Sequence, residues 1–175
     1  MLMFKLNNLN KRFLMLGALS LALCSAAQAD GRGAFLSILS GQNEVPQRAT
    51  RARGVAIFQV SEDLTEISYR LIVANIENVT AAHIHIAPAG ENGPVVVALA
   101  GNFNPGGGRF SGVLAEGTIT DADLVGPLTG MTIADLVEAM ELGNAYVNVH
   151  TNDGTAPTNE GPGDFPGGEI RGQIR

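Results

Sequence analysis

Apolar and polar residues alternate along most of this chain with a period of two rather than 3.6. Between Thr65 and Ala74 the alternation puts Ile67, Tyr69, Leu71 and Val73 on one face and Glu66, Ser68 and Arg70 on the other. That is the pattern of a strand buried on one side. Similar runs span 34–39, 54–60, 81–86, 95–99, 111–119, 145–150 and 169–174. Gly, Pro, Asn and Asp fill the intervals at 42–46, 87–94, 102–109 and 151–168, where turns are expected. Seven or eight short strands separated in this way predict an all-β fold, an antiparallel β-sandwich or barrel.

One segment departs from the alternation. Thr132 and Asp135 have the spacing of a capping box, and Ile133, Leu136, Val137 and Met140 then recur at helical intervals before Gly143. This predicts a short amphipathic helix of about ten residues, a common helix length. Thr120 and Asp121 before Ala122, Asp123 and Leu124 suggest a second capped turn. Both read as connections packed over one end of the strands.

The first 29 residues read as a separate unit. Lys5, Lys11 and Arg12 precede the apolar run Phe13 to Cys24, which is too short to span a bilayer as a helix, and Ala27-Gln28-Ala29 has the small residues of a signal-peptidase site. The expected organisation is therefore a signal peptide at 1–29 and one domain at 30–175, exported to the periplasm or secreted after cleavage near Ala29. No second long apolar run follows, so no membrane span is expected in the mature chain.

Cleavage changes the composition. The full chain of 175 residues carries a net charge of −6 and a single cysteine. The mature part has 8 Arg against 17 Asp and Glu, a balance of −9, with neither Lys nor Cys. A thiol nucleophile and a disulfide framework are thereby excluded, and an acidic chain without clustered cations is no general nucleic-acid binder. No serine sits in a G-x-S-x-G context. The glycine run at 106–108 is followed by Arg109 and Phe110 where a phosphate loop needs Lys and then Ser or Thr. No catalytic residue is assigned.

The histidines are the remaining candidates for chemistry. All three, His83, His85 and His150, fall within predicted strands. In the run 81–86 the alternation places both imidazoles on one face, about 6.6 Å apart at Cα, with Ala82, Ile84 and Ile86 on the other. In 145–150, Val147 and Val149 point inward and leave Tyr146, Asn148 and His150 on a polar face. In 169–174, Ile170 and Ile174 point inward, with Glu169, Arg171 and Gln173 outward. If the three strands share a sheet, one surface gathers His83, His85, Asn148, His150, Glu169 and Arg171. Three imidazoles beside a carboxylate suit copper, zinc or a similar divalent ion. The competing reading is a structural network in which Asn148 and the carboxylates satisfy the imidazoles by hydrogen bonding.

Five phrases then occur in order: Leu39-Ser40-Gly41 with Glu44-Val45-Pro46; Thr80 to His85; Asn92 to Val96; Tyr146 to Thr151; and Pro166 to Gln173. Together they resemble the CHRD domain, the module named after chordin, over nearly the whole mature chain from about Leu36 to Ile174. The resemblance implies an extracellular module. Chordin's growth-factor binding is associated with separate cysteine-rich repeats, so that function is not carried over. The segment 152–165 is longer than the family commonly has and contains Asp153, Glu160 and Asp164; its spacing lacks the alternating oxygen ligands of a calcium loop and reads as a solvated acidic loop. The strand His83-Ile84-His85 also resembles the copper-binding H-x-H of Cu/Zn superoxide dismutases, whose zinc-loop ligands and cysteine pair have no counterparts here. The fold expectation narrows to an Ig-like or superoxide-dismutase-like sandwich. The functional expectation is a binding or surface-interaction module with an unknown extracellular or envelope partner rather than an enzyme. A copper- or zinc-binding metalloprotein is the alternative.

Overall fold

A computed structural model describes residues 33–101 and 103–175. The expected leader lies outside them. Eight strands form one antiparallel sheet: β1 (Ala34–Ser40), β2 (Arg53–Val60), β3 (Glu66–Glu77), β4 (Val79–Ile86), β5 (Val95–Ala100), β6 (Arg109–Thr120), β7 (Ala145–Thr151) and β8 (Ile170–Gln173). Their order across the sheet is β5-β4-β7-β8-β1-β2-β3-β6. Each run of alternating sequence became a strand, and the expected all-β architecture is the observed one.

The sheet folds on itself into a nearly closed barrel. One half comprises β5, β4, β7 and β8, and the other β1, β2, β3 and β6. The halves join through β8 and β1, where Ser40 pairs with Arg171 and Leu36 and Arg175 exchange backbone hydrogen bonds of 2.8 and 3.0 Å. Ser37 Oγ, fully buried, donates to Gly172 O at 2.7 Å. A Cβ on Gly172 would collide with Ser37 Oγ and Ile38 O, so only glycine lets these strands approach. On the opposite side the edge strands β5 and β6 leave a seam. Tyr69 Oη of β3 spans it, donating to Leu99 O of β5 at 2.7 Å.

Alternate residues from both halves fill the interior, including Leu39, Phe58, Ile67, Leu71, Ile84, Val147, Val149 and Ile170. Helix α1 (Ile133–Glu141) lies in the connection from β6 to β7 and buries Ile133, Leu136, Val137 and Met140. Its capping box forms as expected: Asp135 Oδ2 accepts from Thr132 N at 2.8 Å and from Thr132 Oγ1 at 2.7 Å. The second capped turn is a 3-10 turn at Asp121–Asp123. No helix among the described residues is long and apolar enough to cross a membrane.

The outer face of β4, β7 and β8 differs from expectation. Sequence alternation marks it as an outward polar surface, yet Asn148, Glu169 and Arg171 are buried there, with Arg171 only 1% exposed. Three connections lie over it: the β1–β2 loop (41–52), the β4–β5 loop (87–94) and the β7–β8 loop (152–169). Period-two patterning distinguishes the two faces of a strand but carries no information about what later covers the polar one.

Candidate metal centre

β4 and β7 are neighbours, which brings the three histidines together. Their register pairs His83 with Asn148, His85 with Tyr146 and Ala81 with His150, so all three imidazoles rise from the same face. Ring centroids are 5.0 Å apart for His83 and His150 and 5.8 Å apart for each of the other two pairs. One nitrogen from each ring lies within 4.8 Å of the other two. Nitrogens sharing one tetrahedral ion at 2.0–2.1 Å stand about 3.4 Å apart, a separation that modest ring rotations can reach.

Two of the rings are oriented by backbone carbonyls. His85 Nδ1 lies 2.9 Å from Gly93 O in the β4–β5 loop, and His150 Nδ1 lies 3.0 Å from Pro166 O in the β7–β8 loop. A carbonyl can only accept, so Nδ1 carries the proton in each ring, and in the neutral imidazole Nε2 keeps its lone pair. Both Nε2 atoms are buried without a partner, as is His83 Nδ1. A carbonyl or carboxylate on the distal nitrogen is the usual way to fix a metal-binding imidazole.

Burial also sets the charge state. Desolvation lowers the pKa of all three histidines, and that of His150 to about 4, further than the opposing Pro166 hydrogen bond raises it. The rings are therefore neutral near pH 7, the form that ligates a metal.

The other expected site residues divide. Asn148, 2% exposed, stands opposite His83, and its Nδ2 donates to Glu44 Oε2 at 3.4 Å. Arg171 lies 3.4 Å over the Tyr146 ring, which stacks on His85 at 4.9 Å with the planes 10° apart. Its guanidinium donates to Glu91 O, Asn92 Oδ1, Pro88 O and Gln173 Oε1, pinning the β4–β5 loop. Glu169 is a structural anchor: its carboxylate accepts from Thr50 Oγ1, Thr151 Oγ1 and Gly163 N at 2.6–2.8 Å. In the acidic segment Asp153 and Glu160 are exposed as expected, whereas Asp164 is buried and accepts from Glu160 N at 3.1 Å.

Matching the chain against protein families gives the CHRD domain over residues 35–174. This chain belongs to the CHRD domain family. No curated protein and no solved structure matches it. The five phrases of this CHRD domain occupy one region of the fold: β4 and β7 supply the histidines, and the other three supply the loops over them. Sequence reasoning missed two contributors, Glu44 and Tyr146 as a stacking partner. Glu44 lies within the phrase Glu44-Val45-Pro46, so a clue was present, although nothing in the alternation marks a loop carboxylate as buried.

Proposed function

We propose that this CHRD domain is a transition-metal-binding module that holds one copper or zinc ion on His83, His85 and His150. The convergence of three neutral, unpartnered imidazole nitrogens carries this reading, because a purely structural network would have used them in hydrogen bonds. Three imidazoles suit either ion and leave a coordination position for water or a small ligand. The module acts after export, as a mature chain beginning near Asp30. Elemental analysis of protein purified from its own compartment tests the reading, together with Zn(II) and Cu(II) titration of the His83→Ala and His150→Ala variants. Wild type should carry or take up one equivalent, and each variant should lose it. A wild-type protein that takes up neither ion at micromolar concentration refutes the proposal.

A second reading, a surface-interaction module, is favoured by the outer face of the other half barrel. Leu36 and Ile57 are register partners, as are Ile72 and Val113, and all four remain exposed together with Ile38. Adjoining exposed aliphatic side chains are a usual mark of a contact surface. Retention of wild type by the native envelope fraction, lost in an Ile38→Asp, Ile57→Asp variant, is the expected result; equal retention overturns this reading.

A further inference from the structure

We infer that Glu44 is the anionic counter-group of the histidine centre, facing a bound divalent ion from beside Asn148. This deepens the metal-binding reading above and rests on it. Glu44 follows the 3-10 turn Gly41–Asn43 in the β1–β2 loop and is only 4% exposed. Oε2 is engaged by Asn148, while Oε1 is buried without a partner. Asn148 Oδ1 is likewise unpartnered. Gly168, at φ 127°, presses on the Asn148 side chain so closely that a Cβ there would collide with it. Asn148, the register partner of His83, is thus held between Glu44 and Gly168.

The neighbouring cations do not neutralise this carboxylate by contact. The Arg171 guanidinium is committed to the β4–β5 loop and to Tyr146, and Arg48 lies 4.6 Å over the Phe165 ring. The ion pairs among the described residues are Arg70 with Glu116 and Arg109 with Glu77, both remote from this face. A buried carboxylate with one empty oxygen is costly in its ionised form unless a positive charge is brought to it. Three neutral imidazoles leave a divalent ion with its full charge in a poorly solvated place. Each group supplies what the other lacks. The same logic selects among ions: an oxygen anion favours Zn(II) or Cu(II), whereas Cu(I), singly charged and soft, depends on it less.

Zn(II) and Cu(I) affinities of wild type and Glu44→Gln, measured by competition with chromophoric chelators, test this. Glu44→Gln keeps the size of the side chain and removes its charge. Zn(II) binding should weaken 10- to 100-fold, the range for outer partners of a metal centre, while Cu(I) binding changes less than about threefold. Far-UV circular dichroism checks that the variant is folded. If it is not, Glu44→Asp carries the test: it retains the charge but withdraws it by one methylene, and Zn(II) affinity should fall severalfold with Cu(I) unchanged. Zn(II) affinity unaltered in the folded variant, or both affinities falling together, overturns the role of Glu44 and leaves the three-histidine centre standing. Wild type binding neither ion overturns both.

Discussion

Replacing Glu44 by Gln should also change how the metal-free protein responds to acid, because two desolvated groups on this face, buried Glu44 and half-buried His150, are shifted in opposite directions. Burial raises the Glu44 pKa from 4.5 to about 7, against the pull of Arg171 and Arg48. The folded state therefore holds a proton between those values that the unfolded state has released, and stability grows as pH falls from 7 to 4.5. The difference corresponds to about 3 kcal/mol. Burial lowers His150 from 6.5 to about 4, so there the unfolded state binds the extra proton. Stability is lost as pH falls from 6.5 through 4, again by about 3 kcal/mol. In wild type the two contributions oppose each other across the shared window. In Glu44→Gln only the loss remains, alongside losses of the same sign from His83 and His85 that both proteins share. Urea denaturation of chelator-treated protein at pH 7.5, 6 and 4.5 reads this directly. The variant should lose about 3 kcal/mol more than wild type between the first pH and the last. Parallel stability profiles for the two proteins would refute the opposed-shift argument.

Two further outcomes test the frame that holds the site. Gly172→Ala forces a methyl group against Ser37 Oγ and Ile38 O at the junction of β1 and β8, and should lower stability by about 2–4 kcal/mol in chemical denaturation. Tyr69→Phe removes the hydroxyl bridge to Leu99 O and should cost about 1 kcal/mol, with faster amide exchange concentrated in β5 and β6.

The strands were legible because each buries one face, which leaves an alternation such as Ile67, Tyr69, Leu71, Val73 in the sequence. The helix was legible through its cap, Thr132 with Asp135, and the apolar spacing behind it. Strand order was not. That β8 lies between β7 and β1 depends on Gly172 having no side chain at a junction of residues far apart in sequence, and no local pattern encodes a pairing. The histidines could be placed on one face, but their convergence needed β4 and β7 to be neighbours at a register that sets His83 opposite Asn148. Glu44 was hidden for another reason. A loop carboxylate is ordinarily solvated, and this one is buried only because its loop folds back over the sheet.

The junction of the first strand with the last has a consequence for how the chain matures. Synthesis delivers β1 through β7 before β8 exists, so β1 and β7 cannot be joined through the sheet until β8 is available. Contacts of such long sequence separation make folding slow. Pro166, which orients His150, lies in the loop leading to that final strand, and Arg171, which packs on Tyr146 beneath His85, lies within it. The imidazole constellation is thus completed last, and a chain truncated before Ile170 retains all three histidines without Arg171, which packs on Tyr146 and holds the loop whose Gly93 O orients His85. Occupancy of the centre would report that β8 is seated between β7 and β1, not merely that its ligands are present.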